Sequence, residues 1–203
     1  MPGQRARPLA AAVASRTPSC AVAVAVDHLI DGIVRAARRR PLFDWAAAPA
    51  LDLVRADIER LLPHRDPFLL VDRITQLDLA ALTIAGRRRI DPADPVFRGH
   101  FPDDPVYPGV LQLEMMGQLG LCLFGLASAA GRARAKQASG SLSVRALKIH
   151  HALYLAPVGP GDELLILAKI IDWNDYTGIC AGQLVRDGVI CSFGIMEVYF
   201  VGA

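Results

Sequence analysis

The sequence predicts an α+β fold in which an antiparallel sheet encloses one long helix. Residues 109–130 form a helical segment that is apolar on nearly every side, with Glu114 among its few polar positions. From residue 145 onward the pattern is that of four strands, and the Asp187-Gly188 pair before the last strand is a hairpin turn signal. A helix that is apolar all round has to be buried, and a sheet wrapped around it would bury it.

A short helix and two strands precede the long helix in the predicted order of elements. Residues 51–62 repeat apolar side chains with a helical period, and Pro63 ends that segment. Residues 68–78 and 82–90 are rich in aliphatic side chains and predict a pair of strands. The four later strands are predicted at residues 147–155, 163–173, 176–186 and 189–201.

The first 50 residues differ in composition from the rest, and we expect a partly disordered extension at 1–50 ahead of one domain at 51–203. Residues 1–26 contain no acidic residue, which leaves a transit peptide open. Residues 27–40 predict an amphipathic helix that ends in arginines before a proline. Its basic end is either a docking surface for an acidic partner or a solvated helix end that suits the helix dipole.

Composition excludes several classes of protein. With 53% hydrophobic and 21% charged residues, the chain is not a disordered protein, and a net charge of +2 favours no nucleic-acid partner. The four cysteines stand far apart without ligand spacing, so we expect neither a metal nor a cofactor. Residues 109–130 are long enough to cross a membrane, but Glu114 and two nearby glutamines fit lipid poorly. We expect no membrane span, with a membrane-anchored protein as the interpretation to exclude.

Three features around residue 100 have the chemistry of an elimination site. His100 lies in a loop between Gly99 and Pro102 and could act as a base near neutral pH. Gly109 begins the apolar helix, where free N–H groups could stabilise a developing enolate oxygen. Glu114 lies in that helix, where burial would favour a protonated acid. Gln118 follows one turn later and could hold the carboxyl group, although spacing alone leaves structural roles for His100 and Glu114 open.

Three ordered motifs resemble one enzyme family. LLPHRDPFLLVDRI at 61–74, GHFPDDPVYPGVLQLEMMGQ at 99–118 and ALYLAPVGPGDEL at 152–164 are similar to the 3-hydroxyacyl-ACP dehydratases of bacterial fatty-acid synthesis. The resemblance implies a hotdog fold, a cytoplasmic homodimer or an oligomer of dimers, and an acyl carrier protein as partner. It implies His100 and Glu114 as the catalytic pair, from different protomers, with the Gly109 N–H on the thioester carbonyl. The other expected substrate contacts are Phe101, Pro108, Val110 and Gln118.

Departures from the family pattern concern the pathway rather than the reaction. Asp103 stands where the dehydratases of ordinary elongation usually carry a glycine. The Asp104-Pro105-Val106 that follows looks more like the isomerising relative, whereas Glu114 and Gly99 match the non-isomerising branch. The expected activity is that of a hydro-lyase acting on (3R)-3-hydroxyacyl-ACP, with the acyl chain open. A hotdog acyl thioesterase and a non-catalytic acyl-binding subunit are the alternatives. Candidate carrier-docking residues are Arg87–Arg89, Arg132, Arg134 and Lys136.

Overall fold

The computed structural model describes residues 20–135 and 144–201, with side chains for 28–130 and 144–201. Its helices are α1 (Cys20–Ala37), α2 (Arg55–Leu61) and α3 (Gly109–Ala135), and a 3-10 turn spans Pro95–Arg98. Its strands are β1 (Ala50–Val54), β2 (Arg73–Asp78), β3 (Thr83–Arg89), β4 (Val144–Tyr154), β5 (Glu163–Trp173), β6 (Thr177–Arg186) and β7 (Val189–Phe200).

The seven strands form one sheet in the order β1-β2-β3-β5-β6-β7-β4, and every neighbouring pair is antiparallel. The predicted hairpin turn is present, since Arg186 pairs with Val189 and both Asp187 and Gly188 have positive φ. β4 lies at the edge of the sheet and pairs only with β7 on its inner side. The α+β prediction is therefore confirmed, with β4 and β1 as the two edges.

Helix α3 packs against one face of the sheet, which is why it can be apolar all round. A Cβ added to Gly182 would lie 2.5 Å from Cβ of Met116, and one on Gly194 would lie 2.5 Å from Cδ2 of Leu113, so these glycines let the helix approach closely. Among the described residues, one helical segment, Gly109–Ala130, is long and apolar enough to span a membrane, and more than half of it is buried in the protein. The sheet accounts for its apolar character.

Helix α1 and the residues after it cover the opposite face of the sheet. Ile30 and Ala37 are buried against Phe193, Ile195 and other apolar side chains of the central strands. The predicted amphipathic helix is thus present, with its apolar face in contact with the sheet, but it spans Cys20–Ala37 instead of 27–40, and the three arginines at 38–40 follow its end. The division at residue 50 and the disorder before it stay predictions, and residues 1–19 lie outside the described part of the chain.

Two predicted elements differ from the structure. The helix expected at 51–62 begins only at Arg55, because residues 50–54 form edge strand β1, which pairs Leu53 with Ile74. Leu51 and Leu53 alternate with exposed neighbours. In so short a segment, the alternation typical of a strand fits the apolar positions as well as a helical period does. The strand expected from residue 68 begins only at Arg73, because residues 68–72 form a connection that is buried at Leu69–Val71 and tied to α3.

Candidate active site

His100 is held in a defined orientation by its own loop. Its backbone N–H donates to the Val96 carbonyl oxygen at the 3-10 turn, and its carbonyl oxygen accepts from the Val106 N–H. The ring nitrogen Nδ1 lies 2.8 Å from the Val106 carbonyl oxygen, and the ring stacks on Phe101 with centroids 4.2 Å apart. Because a carbonyl oxygen only accepts, Nδ1 carries the hydrogen, and the Nε2 of the neutral ring has a free lone pair.

An open cavity of about 490 Å³ lies beside this histidine. His100, Gly109, Val110 and Tyr154 line it, together with residues 155–157. The Tyr154 ring lies directly over Gly109, since a Cβ built there would be 2.6 Å from Cε1 of the tyrosine. Burial raises the pKa of Tyr154 above its ordinary value, so its hydroxyl stays protonated at neutral pH. A base and the start of α3 therefore meet in one cavity.

The start of α3 supplies backbone donors to that cavity. The N–H groups of Leu111 and Gln112 both donate to the Pro108 carbonyl oxygen. No acceptor within the described residues is seen for the N–H groups of Gly109 and Val110, as is usual for the first residues of a helix. Gln112 is buried and donates from Nε2 to the Tyr107 carbonyl oxygen, so it fixes the turn into the helix. Sequence reasoning did not assign Gln112 a role.

Glu114 lies one turn into α3, within a second group of polar side chains. The side-chain amide of Gln118 donates to its Oε1 at 2.9 Å, as the one-turn spacing suggested. Nε2 of His64 lies 3.4 Å from the same oxygen. Gln118 is fully buried and also bonds the backbone of Phe68 and Leu70. His64 belongs to the 61–74 motif, and nothing in the sequence indicates that it lies beside Glu114.

Within one chain the two candidate catalytic residues do not share a cavity. Glu114 does not line the cavity beside His100, and its side chain is 35% exposed, so the burial expected from the apolar helix is only partial within one chain. Val110 and Phe101 are 71% and 54% exposed, whereas Pro108 is buried. The roles of His100, Glu114 and the expected substrate contacts stay predictions. Across the described side chains no group of three or more potential ligands is placed to hold a metal ion.

Comparison with known proteins places the chain in a family. The family model for the FabA-like domain matches residues 62–192. The chain belongs to the FabA-like family. The matched part of this FabA-like protein contains His64, His100 and Glu114, while α1 lies before it.

Its relatives carry dehydratase names. The 3-hydroxyacyl-[acyl-carrier-protein] dehydratase FabZ of a Sulfurovum species is 40% identical over 116 residues, which cover 57% of this chain and 74% of the relative. The FabZ of a Nitratiruptor species is 36% identical over 138 residues, which cover 68% of this chain and 89% of the relative. Among solved structures, the dehydratase heterocomplex ApeI:P from Xenorhabdus doucetiae has a TM-score of 0.54 at 20% identity and covers 70% of this chain and 90% of that one. The FabA-like protein thus has the hotdog fold.

Proposed function

We propose that this FabA-like protein removes water from a (3R)-3-hydroxyacyl thioester on an acyl carrier protein to form the trans-2-enoyl thioester. The observation that carries the proposal is the His100 ring, whose Nδ1 bonds the Val106 carbonyl oxygen and which lines one cavity with Gly109 and Val110, the first residues of α3. The names of the FabZ relatives point to the same reaction.

Each part of the site has one task in this reaction. Nε2 of His100 takes the proton from the carbon next to the thioester carbonyl. The N–H groups of Gly109 and Val110 donate to the carbonyl oxygen as it gains charge. Glu114 gives a proton to the β-hydroxyl, the carbon–oxygen bond breaks, and water leaves. The histidine ends with the proton and the glutamate ends as a carboxylate, so charge is balanced.

A second copy of the chain is proposed to complete the site. β4 is an eleven-residue edge strand whose outer side pairs with no other strand in the described part of the chain. Exposed apolar side chains continue along it and into the His100 cavity, namely Ile149, Tyr154, Leu155 and Val110, and the exposed Phe101 stacks on His100. Long apolar edge strands are surfaces for strand pairing. A homodimer formed here, alone or within an oligomer of dimers, would cover this surface and bring the partner's Glu114 to the cavity of His100.

The acyl carrier protein is proposed to dock on basic residues near the cavity, since carriers of this kind are acidic. Arg98 is exposed at the end of the 3-10 turn, two residues before His100, and suits this role. Arg88 is paired with Asp72 at 2.7 Å, and Arg87 lies over the Trp45 ring, so these two are already occupied, whereas Arg89 is exposed and stays a candidate. The side chains of Arg132, Arg134 and Lys136 lie outside the described part of the chain. The cytoplasm is the proposed location.

Mass spectrometry of the carrier tests the proposal. Purified protein is incubated with 3-hydroxyacyl carrier proteins of several chain lengths, and the mass of the intact acyl carrier is followed. Loss of one water is the expected result, and it should fall by at least ~10² in His100→Ala and in Glu114→Gln. Release of free carrier thiol would instead indicate a thioesterase. Unchanged acyl carriers at every length would indicate a non-catalytic subunit.

A further inference from the structure

Two polar side chains, those of Gln118 and His64, lie beside one carboxyl oxygen of Glu114. The Leu70 N–H donates to Oε1 of Gln118 at 2.8 Å, and a backbone N–H can only donate. The amide of Gln118 is therefore oriented without ambiguity, with Nε2 as its donor. Nε2 donates to the Phe68 carbonyl oxygen at 2.8 Å and to Oε1 of Glu114 at 2.9 Å. Oε1 of Glu114 is thus an acceptor in this structure.

His64 faces the same oxygen from the other side. Its Nε2 is 3.4 Å from Oε1 of Glu114, a separation common for catalytic groups before substrate binds. Since Oε1 is already an acceptor, the ring nitrogen turned toward it has to donate, so the hydrogen of the neutral ring is on Nε2. Nδ1 of His64 is then a bare acceptor, and it is buried without a hydrogen-bond partner in the described residues.

The loop that carries His64 is held in place by its neighbours. Nη1 of Arg65 donates to the carbonyl oxygens of Leu62 and His64 at 2.8 and 2.7 Å. The Phe68 N–H closes a turn onto the Arg65 carbonyl oxygen. Because the Phe68 carbonyl oxygen in turn accepts from Gln118, the loop and helix α3 form one connected unit around Glu114. Such a unit holds the imidazole at a fixed position relative to the carboxyl group.

We propose that His64 is a positioning residue for the acid of the reaction, and this rests on the proposed function. Gln118 donates to Oε1 of Glu114, and Nε2 of His64, 3.4 Å from that oxygen, donates to it when substrate is bound, which leaves the proton of the acid on Oε2. During dehydration the Oε2–H bond breaks, the proton joins the β-hydroxyl, and the negative charge that forms on the carboxyl group is stabilised by the two donors at Oε1. A hydrogen bond donated to a negatively charged oxygen is stronger than a hydrogen bond donated to an oxygen of a neutral acid. His64 therefore acts mainly on the transition state, and so on kcat.

Two substitutions separate this role from packing. His64→Phe keeps a ring of similar size and removes the donor, and kcat should fall about tenfold with KM within about twofold. His64→Gln places an amide N–H near the position of Nε2 and should recover kcat to within about threefold of the native protein. His28→Phe makes the same change at an exposed position on α1, outside the site, and should leave both constants unchanged. Circular dichroism and gel filtration check that each variant is folded and associated as the native protein is.

The double variant His64→Phe with Glu114→Gln tests whether His64 works through Glu114. If it does, the double variant is no slower than Glu114→Gln alone, because the acid that His64 orients is already absent. An additional tenfold loss would overturn the proposal, as would His64→Phe with native kcat. If His64→Phe does not fold, His64→Gln is compared with His64→Asn, whose shorter side chain cannot bring its amide to the position of Nε2. Equal kcat values for these two variants would overturn the proposal. Full activity in Glu114→Gln would instead contradict the proposed function itself.

Discussion

The buried side chain of Gln183 on β6 donates to the carbonyl oxygen of Ala37, the last residue of α1, at 2.8 Å. The same amide nitrogen donates to the Arg40 carbonyl oxygen, and the amide oxygen accepts from the Leu42 N–H. One fully buried glutamine in the sheet therefore satisfies the backbone at the end of α1. It ties a helix outside the matched family region to the face of the sheet opposite α3.

Removing this glutamine should loosen α1 without affecting catalysis. Gln183→Leu leaves three backbone groups without their partner, and the free energy of unfolding should fall by about 2–3 kcal/mol. Urea denaturation measures the change, and limited proteolysis should cut residues 38–49 faster. Gln76→Leu, the same change at a half-buried position on β2, is the control and should cost less than about 0.5 kcal/mol. Equal stability of the Gln183→Leu variant and the native protein would contradict this role.

The role of Gly109 can be tested because the Tyr154 ring lies directly over it. A methyl group at this position would lie 2.6 Å from Cε1 of Tyr154, so Gly109→Ala has to displace the tyrosine or shift the start of α3. Dehydration by Gly109→Ala should fall about 10²-fold, because donors at the start of the helix lose their alignment with the thioester. Adding Tyr154→Ala removes the clash and should restore at least about tenfold of the loss. No recovery in the double variant would show that the methyl group blocks the substrate directly.

The buried thiols should be inert in the native protein. Burial raises the pKa of Cys122 and of Cys180 to about 12, and it raises the pKa of Cys191 as well. Since the thiolate is the reactive form, only ~10⁻⁴ of a thiol with such a pKa is ionised at pH 8, and a rise to pH 10 still ionises about 1%. A Cys20→Ser variant treated with a chromogenic disulfide should therefore show no reaction in buffer at pH 8. The same variant in denaturant should show three thiols, and a fast-reacting thiol in buffer would contradict the burial.

Some structural elements of this protein could be predicted from the local sequence pattern, and others could not. The all-apolar segment that became α3 and the turn at Asp187-Gly188 were predictable because each depends on neighbouring residues alone. β1 was not predictable, because a five-residue segment with apolar side chains at Leu51 and Leu53 fits both a helical and a strand period. Its pairing with β2 decides that it is a strand. The contact between His64 and Glu114 joins residues 50 positions apart in the chain, and no sequence spacing encodes a distance of that kind. The hydrogen bonds from Gln183 to the end of α1 were unpredictable for the same reason, since their partners are more than 140 positions away in the chain.

The central claim is that His100 of one protomer works with Glu114 of its partner. His100→Ala and Glu114→Gln proteins are each expected to be inactive as homodimers, yet a dimer with one chain of each kind contains one intact site. The two proteins are mixed, dissociated and reassociated, and dehydration of a 3-hydroxyacyl carrier protein is measured. Random pairing of the two chains should restore about one quarter of native activity. Activity that stays at the level of the separate variants would contradict the shared site.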